Sequence, residues 1–312
     1  MNIFVTRRIP SSVVAKLEAA GSVQVYAGDG PIPPDELRAR VPGVHALVTM
    51  LTERVDDALL EAGRDLKVIA NVAVGYNNID VPAARARGVI VTNTPDVLTE
   101  SVADFTWGLI LAITRRLSEG ERLVRRGDWT GWAFDFMLGT ELRGKQLGLI
   151  GLGRIGRAVA ARAAAFGVRV AYTSRRDTDL PGAERMSFDA LLNTSDIVSI
   201  HVPLSTETTH LIDQRALARM KRSAYLINTA RGPVVDEAAL AWALGRRMIA
   251  GAALDVYERE PEIHPDLLAL ENVLLVPHLG SGTTETRTAM ADLAAENVIA
   301  VLGGRAALTP IA

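Results

Sequence analysis

Five histidines, His45, His201, His210, His264 and His278, are the side chains of this 312-residue chain best suited to exchange a proton near neutral pH. Four of them read as structural or solvated: His45 precedes a strand pattern, His201 ends one, and His210 and His264 sit in polar turns. His278 stands apart. It follows Val-Leu-Leu-Val-Pro at the carboxyl end of the last strand pattern, the edge at which open α/β sheets hold their ligands. Arg231, in Thr-Ala-Arg-Gly-Pro after Tyr-Leu-Ile-Asn, and Glu260, in Asp-Val-Tyr-Glu-Arg-Glu-Pro, occupy equivalent positions. A proton donor, a carboxylate and a permanent cation are therefore expected at one edge. That set suits reduction of a 2-oxo acid, which needs a hydride, a proton for the developing alkoxide, and a cation holding carboxylate and carbonyl in register. A carboxylate beside an imidazole favours the imidazolium, so Glu260 is expected to keep His278 protonated for that direction.

The hydride source is suggested by Gly151-Leu152-Gly153-Arg154-Ile155-Gly156, which directly follows the apolar stretch 146–150 and opens an alanine-rich helix pattern. Gly151 permits a tight turn, Gly153 lets a pyrophosphate approach the backbone, and Gly156 lets helix and strand pack closely. In NAD sites an acidic residue about 20 positions on binds the ribose hydroxyls. That place holds Ser174-Arg175-Arg176 instead, a hydroxyl and two guanidinium groups able to bond and neutralise a 2′-phosphate. NADPH is thus the expected preferred cofactor and NADH the weaker one. The competing arrangements are a solvated arginine pair and an Asp177 that bends back toward the ribose.

Positioning these groups requires parallel βα units. Strand patterns at 3–6, 23–26, 46–50, 67–72 and 89–92 alternate with helical patterns and glycine turns, and six more follow at 146–150, 168–172, 197–201, 224–228, 251–255 and 273–276. Between the series runs a helical stretch over 99–126, too long for a crossover and suited to joining two domains. The last helical pattern, 284–302, follows the sixth strand and is expected to cross back to the first domain. The reading is an α/β protein with two doubly wound parallel sheets.

Composition excludes other classes. The formal charge is −2, and no basic block suggests nucleic acid or an anionic membrane. There is no cysteine, hence no disulfide, thiolate metal site or cysteine nucleophile; without an HExxH motif either, no metal site is expected. The longest strongly apolar stretch, 105–113, falls far short of the roughly 20 residues that span a bilayer. The opening residues 1–5 run into a strand pattern without an export signal, which suits a cytoplasmic protein.

The chain also resembles the D-isomer-specific 2-hydroxyacid dehydrogenases over nearly its whole length. Besides the glycine turn it carries VAVGYNNID (72–80), VTNTPDVLTESVADF (91–105), INTARGPVVDE (227–237), GAALDVYEREP (251–261) and PHLGSGT (277–283), in the family's order. The resemblance implies that Arg231, Glu260 and His278 are the catalytic Arg, Glu and His. It implies that backbone amides of Val74 and Gly75 bind the substrate carboxylate with Arg231, while Leu51 borders the substrate. Thr99, Pro203, Thr229, Ala230, Asp255, His278 and Gly280 are implied to line the nicotinamide half, with Asp255 accepting from the carboxamide. From the residues alone, Asp255 could equally cap a loop, and Thr229 and Ala230 could simply end a strand.

The implied domains are a flavodoxin-like substrate domain, 1–97 plus 284–312, and a Rossmann NADP-binding domain, 98–283. Within the family VTMLTERVD (48–56), Ser174-Arg175-Arg176 and GDWTGW (127–132) look most like glyoxylate/hydroxypyruvate reductases, whose substrates are small 2-oxo acids. Relatives pack the region of Trp129 and Trp132 across a homodimer; Trp132 either reaches the neighbouring site or is buried in the dimer contact. The rival readings are a phosphoglycerate, lactate-type or formate dehydrogenase of the same family, and a nucleotide-sensing corepressor without catalysis. Retention of Arg231, Glu260 and His278 together weighs against the sensor.

Overall fold

The computed structural model describes residues 1–175 and 178–311; Arg176 and Asp177, on which part of the NADPH expectation rests, lie outside the described residues. The chain divides into two compact units, Met1–Leu98 with the segment from Thr283 on, and Thr99–Gly282.

In the first unit β1 (Asn2–Val5), α1 (Ser11–Glu18), β2 (Ser22–Val25), α2 (Pro34–Arg40), β3 (Ala46–Thr49), α3 (Asp57–Ala62), β4 (Val68–Asn71), α4 (Val81–Ala86) and β5 (Ile90–Thr92) alternate along the chain. The strands pair in parallel in the order β2-β1-β3-β4-β5, the flavodoxin-like arrangement. Strand periodicity sorts the core. Phe4, Leu47, Ile69 and Val91 pack on one face against Leu37, Leu59 and Ala84. Ile3, Val5, Val48, Val68 and Ala70 pack on the other against Val13 and Leu17, where they also meet Ala291, Ala294 and Val298.

The second unit holds α5 (Thr99–Thr114), α6 (Leu117–Arg125), β6 (Gln146–Ile150), α7 (Arg154–Ala163), β7 (Arg169–Thr173), β8 (Ala183–Arg185), α8 (Phe188–Thr194), β9 (Ile197–Ile200), α9 (Gln214–Arg219), β10 (Tyr225–Asn228), α10 (Glu237–Gly245), β11 (Gly251–Leu254), α11 (Pro265–Leu268) and β12 (Val273–Leu275). The remaining helix, α12 (Thr284–Leu302), supplies Ala291, Ala294 and Val298 to the first unit's core. The second sheet is also fully parallel, in the order β12-β11-β10-β9-β6-β7-β8. Sheet order reverses direction between β6 and β9, so the crevice at their carboxyl ends is where a doubly wound sheet takes a ligand. Trp107 of α5 anchors one face, stacked on Phe166 at 4.4 Å with its indole N–H donated to the Val159 carbonyl (2.9 Å).

Two details differ from the sequence reading. A seventh strand, β8, pairs with β7 at the edge. It is three residues long, mostly exposed and without apolar alternation, so no periodic signal marks it. The helical stretch 99–126 is two helices, because Arg116 takes a left-handed conformation (φ 54°) that ends α5 without glycine or proline. The guanidinium of Arg116 bonds both carboxylate oxygens of Glu119 (2.8 and 2.6 Å), which helps offset the cost of that conformation, about 1 kcal/mol.

The glycine turn shows why its residues are small. A Cβ on Gly156 would collide with the carbonyl oxygen of Gly151, and one on Gly151, itself at φ 99°, would sit 2.6 Å from the His201 carbonyl oxygen. Gly156→Val is accordingly expected to destabilise the protein by about 1–3 kcal/mol, read as a lower urea midpoint at unchanged slope; an unaltered midpoint would contradict the packing argument.

Candidate active site

β6 ends at Ile150 and the chain turns at Gly151, whose N–H bonds the Thr173 carbonyl (3.0 Å), while the His201 N–H bonds the Ile150 carbonyl (2.7 Å). Leu152 is buried beneath the turn. Gly153 is then the N-cap of α7, extended and with no side-chain cap, whereas Ser187, Asp213 and Asp236 each cap their helices in this unit. A Cβ on Gly153 would meet only open space. The first-turn N–H groups of α7, the exposed Arg154 and the partly buried Ile155 therefore border an open, electropositive helix end that fits a dinucleotide pyrophosphate.

At the same carboxyl edge, the loops after β10, β11 and β12 carry Arg231, Glu260 and His278. The His278 Nδ1 lies 2.9 Å from the Glu260 Oε2, and the other oxygen of Glu260 accepts the Tyr257 N–H (3.1 Å). Burial alone would raise the Glu260 carboxyl. The hydrogen bond and charge of His278, the Tyr257 N–H and the Arg231 guanidinium outweigh that and hold it below the ordinary range. Arg231 is pulled down by its own burial and supported by the Glu260 charge, yet a guanidinium remains protonated at any physiological pH. Its Nη1 donates to the Ala230 carbonyl (2.6 Å).

These loops interlock. Gly232 permits the crossing: a Cβ there would overlap the Tyr257 carbonyl group. Asn228, with no exposed surface, accepts the Ala230 N–H (3.0 Å) and donates to the Arg231 carbonyl (3.0 Å), fixing the backbone that carries the guanidinium. Glu237 of α10 accepts the N–H groups of Glu258 (2.6 Å) and His264 (3.1 Å), while Glu258 accepts the Glu237 N–H (2.8 Å), so α10 clamps both sides of Glu260. Asp255, 1% exposed, accepts the Leu279 N–H (2.6 Å) and the Gly280 N–H (2.9 Å). It thus caps the loop that carries His278, which is at φ 55°. Burial raises the Asp255 carboxyl, against the opposing pull of those two N–H groups and His278. Thr229 meets the Thr106 hydroxyl of α5 (3.1 Å), and Ser101, near Thr99 at the start of that helix, donates to the Gly280 carbonyl (3.0 Å).

Asn228 and Glu237 stand inside INTARGPVVDE without being singled out by sequence reasoning. Only the shortage of periodic signal around a buried polar residue could have drawn attention to them.

Leu51, Val74 and Gly75 belong to the first unit, on the loops after β3 and β4. A polar network missed by sequence reasoning shapes those loops. Buried Glu53 accepts the Thr6 hydroxyl (2.7 Å) and the Met50 N–H (2.8 Å). Asn78 donates to the carbonyls of Met50 and Glu53 (2.9 and 3.0 Å), Asn71 to that of Gly75 (2.8 Å) and Asn93 to that of Val74 (2.7 Å). These bonds tie down the carbonyls of the loop holding Val74 and Gly75.

Ser174 and Arg175 follow β7; the Ser174 carbonyl accepts from Arg185 (3.2 Å). Pro203 follows β9, its carbonyl accepting the Thr208 hydroxyl (2.7 Å). Trp132, 80% exposed, lies between α6 and β6 beside exposed Trp129 and Phe134. The remaining histidines have local partners: His45 accepts the Asn2 N–H (3.0 Å), His201 meets the Ser199 hydroxyl (2.9 Å), His210 meets Glu258 (3.2 Å) and His264 caps α11. Burial pushes the His201 imidazole down to about 4, so it is neutral beneath the glycine turn. Among the described residues no cluster of three or more His, Asp or Glu could hold a metal ion, and no helix is long and apolar enough to cross a membrane.

Comparison with known proteins places this geometry. The profile of the D-isomer specific 2-hydroxyacid dehydrogenase NAD binding domain matches residues 107–280. A protein of Thermofilum pendens named glyoxylate reductase is 49% identical over 97% of this chain and 91% of its own length. A Thermus thermophilus structure superposes with a TM-score of 0.96 at 44% identity, covering 100% of both chains. An NADPH-dependent glyoxylate/hydroxypyruvate reductase of Sinorhizobium meliloti, solved with NADP and malonate, superposes with a TM-score of 0.89 at 37% identity, covering 100% of this chain and 96% of that one. With the family profile spanning over half of the chain and near-full-length relatives of this similarity, the chain belongs to the D-isomer-specific 2-hydroxyacid dehydrogenases, NAD(P)-dependent oxidoreductases acting on CH–OH groups.

Proposed function

We propose that this enzyme reduces glyoxylate and hydroxypyruvate to glycolate and D-glycerate with NADPH as its preferred coenzyme. The hydrogen-bonded His278–Glu260 pair, with the half-buried Arg231 beside it at the carboxyl edge of a dinucleotide-type sheet, carries the reading. A bound nicotinamide supplies the hydride. Arg231 draws the substrate carboxylate, assisted by the amides of Val74 and Gly75 while Leu51 borders the small side chain. The His278 Nε2 gives its proton to the carbonyl oxygen as charge develops there, and Glu260 holds the imidazolium through Nδ1. The segments 1–97 and 284–312 act as the substrate domain and 98–283 as the NADP-binding domain. Ser174, Arg175 and Arg176 take the 2′-phosphate, and Thr99, Pro203, Thr229, Ala230 and Gly280 line the nicotinamide half. The relatives named glyoxylate reductase support the substrate class. A cysteine-free chain of this kind suits the cytoplasm.

Initial rates at 340 nm with glyoxylate and hydroxypyruvate, each with NADPH and NADH, test this directly. Faster NADPH oxidation with both acids is expected; turnover only with pyruvate or phosphohydroxypyruvate, or none at all, would overturn it. His278→Gln should lower kcat by about 10²–10⁴-fold with little change in the KM for NADPH.

Glu260→Gln bears on pH. Against its own partial burial, Glu260 is held below the ordinary carboxylate range by His278, the Tyr257 N–H and Arg231, so it stays ionised until the pH falls through that lowered value. Glu260→Gln should lower kcat and remove the acid-side fall of kcat/KM that this titration gives the wild type. An acid limb unchanged in the variant would contradict the assignment.

The exposed apolar run around Trp129 and Phe134 is read as the contact of a homodimer, with Trp132 reaching toward the neighbouring site. Sedimentation at twice the 33.5 kDa chain mass is expected. Trp132→Ala should preserve that mass and raise the KM for the oxo acid; loss of the dimer would assign Trp132 to the contact instead.

A further inference from the structure

Arg175 does not stand alone at the end of β7. Its Nη1 lies 3.7 Å from the Oε2 of Glu207, with the two side chains 74% and 66% exposed. Glu207 comes from the loop after β9, and β6 lies between β9 and β7 in the sheet, so this loop reaches across the switch point toward the adenosine end of the coenzyme site.

The carboxylate is held there. The Ser205 hydroxyl donates to the same Oε2 (2.6 Å). The Ser205 N–H donates to the Thr208 hydroxyl (2.7 Å), and that hydroxyl donates to the Pro203 carbonyl (2.7 Å). Thr208 is buried and the Thr209 hydroxyl returns to the Ser205 carbonyl (2.9 Å), so the loop from Pro203 to Thr209 is a closed hydrogen-bonded turn with Glu207 at its outer side. The Ser205 bond pulls the Glu207 carboxyl below the ordinary range, which keeps it charged.

We infer that Glu207 is a specificity-determining residue, a fixed carboxylate that opposes the 2′-phosphate at Arg175 and so limits the preference for NADPH over NADH. The inference rests on the proposed role of Arg175 in holding that phosphate. NAD sites carry a carboxylate at the end of the second strand to accept from the ribose hydroxyls. Here that strand end carries Ser174 and Arg175, and the carboxylate arrives from the loop after β9. A 2′-phosphate must take Arg175 from Glu207 and meets a like charge nearby. A bare ribose has no such conflict and meets an acceptor. One pair of opposite charges therefore sets a balance between two coenzymes, where an arginine by itself would favour one.

The test uses the intact coenzyme-free enzyme and calorimetric titration with 2′,5′-ADP and with 5′-AMP, which differ only in the 2′-phosphate. Glu207→Gln should tighten the Kd for 2′,5′-ADP by about fivefold, the upper range for an exposed ion pair. It should leave 5′-AMP unchanged or weaker. Glu207→Asp should fall between wild type and Gln. In steady state the KM for NADPH should drop with kcat unaltered, raising the NADPH/NADH ratio of kcat/KM. In an Arg175→Gln background the gain should vanish. An unchanged Kd for 2′,5′-ADP, an equal shift for both ligands, or a gain that survives Arg175→Gln would overturn the inference. Arg175→Gln alone without loss of 2′,5′-ADP affinity would remove the phosphate-binding role beneath it, a distinct failure.

Discussion

Residue 232 has no side chain, and the chemistry at the sheet edge depends on that. The loop after β10 presents Arg231 and the loop after β11 presents Glu260; the two backbones cross where any Cβ on Gly232 would occupy the Tyr257 carbonyl. Parallel pairing makes the encounter available, since every strand of this sheet ends on the same edge. The crossing turns proximity into contact. The glycine turn after β6 applies the same logic to the coenzyme half, with Gly151 and Gly156 yielding the space that backbone carbonyls need.

Charge withdrawn from water is the cost of this arrangement, and the hydrogen bonds show how it is met. Desolvation acts on the buried Asp255, the half-buried Arg231 and the more exposed Glu260, and is unfavourable for each alone. Glu260 is carried by His278, Arg231 and a backbone N–H; Asp255 by two backbone N–H groups of the loop it caps. Around them Asn228 and Glu237 spend their polar atoms almost wholly on backbone. Such residues fix the backbone that presents Arg231 and Glu260 without contacting those side chains' charged groups, and such rigidity is what a preorganised polar site requires.

The fold was legible wherever one physical requirement left a periodic or positional mark. Continuous apolar strands such as β3, β4 and β9 report burial on both faces, and the glycines of the turn report backbone collisions. Arg231, Glu260 and His278 were visible because each follows a strand pattern at its carboxyl end. β8 was invisible, since three mostly exposed residues at an edge bury too little to impose a pattern. The break at Arg116 was equally silent, because tertiary contacts and Glu119 hold a left-handed arginine that local propensity disfavours. Glu53, Asn78 and Asn93 read as ordinary loop residues, and Asn71 as the end of a strand pattern. Their importance lies in carbonyls brought together from distant segments, which no spacing encodes.

The charges of the site also bear on the order of events in the proposed reaction. A 2-oxo acid brings one negative charge to an edge where Arg231 and Glu260 already oppose each other, so the proposed imidazolium donor and the incoming carboxylate would attract each other. In that scheme proton transfer leaves the imidazole neutral, while a bound nicotinamide would gain the positive charge that the departing hydride leaves behind, so the net charge facing the product carboxylate is unchanged. Arg231 keeps its hold on that carboxylate, and the change falls on the 2.9 Å Glu260–His278 contact, which turns from an ion pair into a hydrogen bond to a neutral ring.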